Sequence, residues 1–261
     1  MACLNGGSRR KGLPLKEELL YGINPVLEAL RSNRRAFELY VAGSITDKRL
    51  EKLLRLASEK GIPVRNREKI DIARLCGSEH HQGVVLKVEP FAYAELDDIL
   101  RICRDSAENG MLLVLDGVQD PHNLGALIRS AACAGAHGVI IPKDRAAGIT
   151  PAVEKASAGA VETIPVAQVV NIAQTLEELK KEGFWIYGAA DAAKASVYEQ
   201  DFTGHVAVVI GSEGEGIRPL VRKKCDVVFS IPIQGGVSSL NASVAGGVIL
   251  YEMVRQRRLK K

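Results

Sequence analysis

The sequence lacks paired cysteines, an apolar leader and any long unbroken apolar run, and each absence removes a class of protein. Its five cysteines, Cys3, Cys76, Cys103, Cys133 and Cys225, are odd in number, widely spaced and form no CxxC pair. That excludes a disulfide framework and a paired-cysteine zinc site, and no metal is expected. No apolar stretch follows the basic residues Arg9, Arg10 and Lys11, so no export signal is read and a cytoplasmic protein is expected. Residues 227–251 carry no charge, but Pro232, Gln234, Gly235, Gly236, Ser238, Ser239 and Asn241 interrupt them. A membrane helix needs about 20 consecutive apolar residues, so a strand, a polar loop and a buried helix are expected instead of a span. There is no internal repeat and no low-complexity segment, and no GxGxxG follows a strand, which counts against a nicotinamide-dependent oxidoreductase.

What is present is a chain of 261 residues with a formal net charge of +4, enough for one large domain or two smaller ones. A mild excess of base permits a nucleic-acid partner without requiring one. Arg255, Arg257, Arg258, Lys260 and Lys261 crowd the end of the chain, where cations suit a helix C-terminus.

Two alternating units are expected. In the first, residues 25–31 read as a helix with Asn24 as cap and Pro25 in its first turn. Strands are expected at 37–41, 62–64 and 83–88, and helices at 47–60 and 70–75. Leu50, Leu53, Leu54 and Ala57 share one face of the helix at 47–60, which Gly61 stops. Residues 1–16 read as a flexible basic tail, 17–90 as the first unit, 91–108 as a linker that becomes a helix, and 109–261 as the second unit. There, strands at 111–115, 138–141, 184–187, 206–210 and 227–231 alternate with helices at 124–134, 151–160, 176–182, 217–224 and 239–257. Continuous apolar strands between helices predict an α/β fold with a mostly parallel sheet covered on both faces.

Three segments at the C-terminal ends of these strands carry the chemistry, and in open α/β sheets that edge binds ligands. The first is DGVQDPHNLGALIRSA, residues 116–131, in which Asp120 or Asn123 can cap the helix. Arg129 is the only Lys, Arg, Asp or Glu between Asp120 and Lys143. A guanidinium on a helix apolar all round requires a partner. It is a structural ion pair, an arginine snorkelling to the surface, or a group aimed at an anionic substrate such as a phosphate. The second segment is VVIGSEGEGI, residues 208–217, whose glycine loop holds Glu213 and Glu215. A plain turn explains the glycines but not the acids, which would repel a phosphate and suit a neutral or cationic ligand. The third is IPIQGGVSSLNAS, residues 231–243, with Ser238, Ser239 and Asn241 at a helix start. One of them suffices for a cap.

Together and in this order the three segments resemble the motifs of the SpoU class of SPOUT (TrmH family) RNA methyltransferases, over roughly residues 109–258. YGINPVLEAL (21–30) and HQGVVLKV (81–88) resemble the small RNA-binding domain, related to ribosomal protein L30e, found in members that methylate a guanosine of 23S rRNA. The resemblance implies transfer of a methyl group from S-adenosylmethionine to a ribose 2'-hydroxyl of RNA, by a homodimer whose site spans the interface. It implies a deep trefoil knot, which no periodicity predicts. The acting residues carried over are Asn123, Arg129, Glu213, Ser239 and Asn241. Gly211, Ile231 and Leu240 would contact the cofactor largely through backbone groups, flanked by Ile210, Pro232 and Ser239. A guanidinium is a poor base, so Arg129 is read first as binding phosphate and stabilising the developing alkoxide. A tRNA-directed or antibiotic-resistance methyltransferase of the same family, or a non-catalytic RNA-binding protein on this fold, are the rival readings.

Overall fold

The computed structural model describes residues 17–43, 48–191, 193–236 and 238–259. The expected tail at 1–16, Asp47 of the second helix, and Lys260 and Lys261 lie outside them.

The first unit runs β1 (Glu18–Tyr21), α1 (Ile23–Arg31), β2 (Ala36–Ala42), α2 (Lys48–Glu59), β3 (Val64–Arg67), α3 (Lys69–Cys76) and β4 (Val84–Val88). Its strands form a four-stranded sheet in the order β1-β4-β2-β3, with β2 and β3 parallel and the other pairs antiparallel. Leu50, Leu53 and Ala57 are buried against Leu20, Leu30, Leu39 and Leu86, whereas Leu54 is only half-buried at the edge of that face. Two local expectations are corrected. Gly22, at φ 97°, caps α1 in place of Asn24, so the helix begins two residues before Pro25. The third strand lies at 64–67 rather than 62–64, because Ile62 turns into the core while the exposed edge strand follows it.

The second unit runs α4 (Leu96–Asp105), β5 (Met111–Asp116), α5 (Pro121–Ala134), β6 (Gly138–Pro142), α6 (Pro151–Ala156), a 3-10 turn (Ala160–Glu162), β7 (Val166–Val169), α7 (Ile172–Lys181), β8 (Trp185–Ala189), β9 (Ala195–Ser196), β10 (Val206–Gly211), α8 (Pro219–Lys224), β11 (Val227–Ser230) and α9 (Ala242–Leu259). Seven strands form one sheet in the order β7-β6-β5-β10-β8-β11-β9, and the ladders within it are parallel.

Alternation along each central strand supplies both faces. Leu113 and Leu115 of β5 and Val208 and Ile210 of β10 join the core beneath α5, α6 and α9. Leu112 and Val114 of β5 and Ala207 and Val209 of β10 join the opposite core beneath α4, α7 and α8. The stretch read as a linker therefore contains α4, whose Ile99, Leu100 and Cys103 are buried in that second core. α7 starts four residues earlier than expected because Asn171 caps it, accepting from the Gln174 N–H at 3.2 Å. α9 starts three residues later than expected, at Ala242. Arg257, in its last turn, donates to the carbonyls of Phe202, Gly110 and Gly204 beneath the sheet, beyond any favourable term with its own helix end.

The units meet through a buried charge cluster. Arg34 donates to Glu154 and Glu162 of the second unit, each at 2.8 Å, to Glu18 at 2.9 Å and to the Glu89 carbonyl at 2.8 Å. Beside it, Lys155 donates to the His80 carbonyl at 2.9 Å and lies over the Tyr21 ring.

Candidate cofactor and RNA site

A cavity of about 560 Å³ opens at the C-terminal ends of β8, β10 and β11. That volume lies within the range of small-molecule sites. One wall is the loop after β10. There the backbone doubles back, with Ser212 N–H donating to Gly216 O at 3.2 Å and Gly216 N–H to Ser212 O at 3.0 Å. A Cβ at Gly211 would overlap the backbone of Gly216 and Ile217, so only glycine closes this turn. Gly214 and Gly216 take positive φ angles of 86° and 67°. The buried Asp116, last residue of β5, straps the loop from outside. It accepts from Arg218 N at 2.8 Å and Arg218 Nε at 2.7 Å.

The tip of that loop meets two helix starts. Asp120 caps α5, accepting from the His122 N–H at 3.0 Å, with Pro121 in the first turn. This sets Asn123 on the turn facing the loop. Asn241 caps α9, its Oδ1 accepting from Ser243 N at 3.0 Å and Val244 N at 3.3 Å. The same side chain is thereby fixed with its amide turned outward. Nδ2 of Asn123 donates to Glu213 Oε1 at 2.8 Å, and Nδ2 of Asn241 donates to that oxygen at 2.6 Å and to Asn123 Oδ1 at 3.0 Å. Two asparagines 118 positions apart thus share one carboxylate oxygen.

Of the residues singled out in the sequence, Asn123, Glu213 and Asn241 are brought into contact. Ile210, Gly211, Ile231, Ser239 and Leu240 line the cavity beside Glu213 and Asn241. Pro232 is exposed and falls outside the lining, between Ile231 and Ile233. Arg129 is exposed and also lies outside the cavity, with no ion pair to a described residue. The reading of α5 as apolar all round is corrected: Arg129 reaches the surface and shares an open face of α5 with Cys133, between the small residues Ala126, Ser130 and Ala132. Small side chains read as apolar but leave that face accessible.

Sequence reading missed Ala189, Ala190 and Asp191, which line the cavity from the end of β8, and Arg222, which lines it from α8. For the first three the signal was the strand-end position alone, since no glycine loop marks it. The described residues include no His, Cys, Asp and Glu grouping able to hold a metal ion. Burial pushes the thiols of Cys103 and Cys225 up to about 11, so neither supplies a thiolate near neutral pH.

The donor set fits S-adenosylmethionine. Ile210, Ile217, Ile231, Ile233 and Leu240 offer apolar surface, glycine backbone comes close, and acids rather than a phosphate cradle face a cationic ligand. Fold and site together define a two-unit α/β protein with a cavity suited to S-adenosylmethionine at the strand ends. Residues 110–251 match the SpoU rRNA methylase family, and residues 19–94 match the RNA 2'-O ribose methyltransferase substrate-binding family. The chain belongs to the SpoU rRNA methylase family. It is 46% identical over 245 residues to the 23S rRNA (guanosine-2'-O-)-methyltransferase RlmB of Ralstonia nicotianae, covering 93% of this chain and 97% of that one. It is 42% identical over 248 residues to RlmB of Pseudomonas putida, covering 94% and 98%. Its structure resembles that of the SpoU methyltransferase AviRb from Streptomyces viridochromogenes in complex with the cofactor AdoMet, with a TM-score of 0.78, 27% identity and coverage of 94% and 92%.

Proposed function

We propose that this protein transfers the methyl group of S-adenosylmethionine to the ribose 2'-hydroxyl of a guanosine in 23S rRNA. The observation that carries this reading is the clasp of Asn123 and Asn241 on Glu213 at the rim of the cofactor cavity. RlmB-named relatives matched over nearly their whole length support the rRNA substrate over tRNA. The same intact clasp argues against a non-catalytic RNA binder.

The bound cofactor supplies an electrophilic methyl on a sulfonium, so positioning dominates what the protein must add. Glu213, held by two amides, fixes the rim against which the ribose lies. Ser239 has no hydrogen bond to a described residue and is available to ribose or cofactor. Arg129 binds the adjoining phosphate and stabilises charge developing on the 2'-oxygen. In one chain Arg129 stands apart from the cavity, and a homodimer resolves this by delivering it from a second copy. Val244 and Tyr251 of α9, 51% and 55% exposed beside α5, supply an apolar face for that copy. The first unit, clamped by Arg34, presents RNA to the site and reads the 2'-hydroxyl's surroundings. The placement of β10 between β5 and β8 supports the family's trefoil knot in the last third. No helix among the described residues is long and apolar enough to cross a membrane, in keeping with a cytoplasmic enzyme.

The test is transfer of labelled methyl from S-adenosylmethionine to 23S rRNA taken from cells lacking this gene. A single 2'-O-methylguanosine is expected. Label on a base, or transfer to tRNA alone, would overturn the assignment.

A further inference from the structure

Among the described residues, four charged ones line the cofactor cavity: Asp191, Glu213, Glu215 and Arg222. Three are acids, and Glu213 is held in the clasp. Arg222 is the single cation. Of the cations around it, Arg218 is engaged on Asp116, Lys224 on Glu177 at 3.0 Å and Lys180 on Asp226 at 2.7 Å, while the exposed Lys223 lies outside the lining. Arg222 makes no side-chain hydrogen bond or ion pair with a described residue, although its backbone is fixed in α8 by its N–H to the Arg218 carbonyl at 2.9 Å. A charge held on a rigid element, facing a cavity and left without a partner, is complementary to something the cavity takes in.

S-adenosylmethionine carries two positive groups, the sulfonium and the α-ammonium, and one negative group, the α-carboxylate. The adenine and ribose are neutral. Resting on the cofactor reading above, we propose that Arg222 binds the α-carboxylate of S-adenosylmethionine and so fixes which end of the pocket receives the amino-acid tail. The planar fork of a guanidinium suits a carboxylate through two parallel hydrogen bonds, which a lysine cannot match. Asp191 and Glu215, unpaired among the described residues, then remain for the positive groups. Orientation follows from charge: a reversed cofactor would set its carboxylate among acids, a costly arrangement.

The test compares S-adenosylmethionine with its decarboxylated analogue, which differs only in the missing carboxylate. Calorimetry on the full-length protein without RNA gives both affinities. Arg222 is exposed at the cavity rim, so the pair is partly screened, and the wild-type protein is expected to prefer the intact cofactor by roughly five- to ten-fold. Arg222→Gln should weaken the intact cofactor by a similar factor and leave the analogue within twofold, and Arg222→Lys should recover only part of the loss. Because Arg222 has no folded partner, the melting temperature should not move. Equal losses for both ligands, or no loss for either, would overturn the assignment. Failure of the wild-type protein to bind either ligand would instead sink the cofactor reading beneath it.

Discussion

Arg34 and Arg129 occupy opposite electrostatic situations in one molecule. Arg34 is 6% exposed, and its donors are taken up by three carboxylates and a carbonyl from both units. Arg129 is exposed on α5 and bonded to none of the described carboxylates. A saturated buried cation holds structure, because its removal strands its partners. An unsaturated cation on a rigid helix contributes little to folding and remains available for an anion brought from outside. The same distinction separates Glu213, held by two amides, from Glu215, which has no such clasp.

The largest effect should come from breaking the saturated member. Arg34→Met leaves Glu154 and Glu162 buried without a counter-charge, and loss of one partner of such a cluster costs about 3–5 kcal/mol. Urea denaturation should show this loss, and limited proteolysis should cut between the units. Unchanged stability would mean the two units do not depend on the clamp.

Arg129→Ala should do the reverse. A surface substitution shifts stability by no more than about 0.5 kcal/mol, while removal of a group stabilising transition-state charge lowers kcat by about 10²–10³-fold. Affinity for S-adenosylhomocysteine should stay within twofold. Arg129→Lys should rescue poorly, since a point charge cannot reproduce a bidentate fork on phosphate. A stable, active Arg129→Ala enzyme would remove this residue from the mechanism.

The clamp also predicts a pH dependence. Burial is the main cause that pushes the Glu154 carboxyl from its ordinary 4.5 up to about 7, against the pull of Arg34, and one of its oxygens has no hydrogen-bond partner among the described residues. Glu162 and Glu18 face it across the same guanidinium and push it in the same direction. Here the folded pKa exceeds the unfolded one. The contribution to stability is therefore complete below the unfolded value and is lost as pH rises through the folded value. Stability should fall between pH 5 and pH 8, by an amount on the order of a few kcal/mol. Glu154→Gln keeps an acceptor for Arg34 and removes the titration, so its stability should be flat over that window. A wild-type protein equally stable at pH 5 and pH 8 would contradict the assignment.

The central strands β5, β6 and β10 were legible because each is buried on both faces and reads as an unbroken run. Glu213 and Asn241 were legible as site residues because their loops follow strands, whereas Asn123 was read from the residues only as a cap and joined them through the family resemblance. Their mutual contacts were not legible, since they depend on which loops the sheet order brings together. The strands β1, β7 and β9 are two to four residues long and carry no usable alternation. Arg34 was invisible for a related reason. Its partners lie 16, 120 and 128 residues away, and nothing local separates it from its neighbours Arg31 and Arg35. Arg129 was visible as a lone charge, but the helix read as apolar all round is open on its side, because the alanines and serine around it cover too little surface to bury it.

The smallest expected effect concerns Glu215, the free counterpart of Glu213. The cavity presents three acids against one cation. S-adenosylmethionine differs from its product, S-adenosylhomocysteine, by the positive charge on sulfur, so an anionic cavity should hold the reactant more tightly than the product. Glu215 is exposed and unclasped, which makes its share screened and modest. Glu215→Gln should lower affinity for S-adenosylmethionine by roughly two- to five-fold, the scale of exposed charge pairs. Affinity for S-adenosylhomocysteine should not change. Raising the ionic strength toward 1 M, where the Debye length falls to about 3 Å, should erase the difference between wild type and variant. Glu213→Gln should behave differently, because its oxygen still accepts from Asn123 and Asn241 while the new amide meets the rim of the cavity. Its loss should appear in kcat and persist at high salt. If both variants lost only reactant affinity and both losses vanished with salt, Glu213 would be one more diffuse charge and the clasp would have no part in placing the ribose.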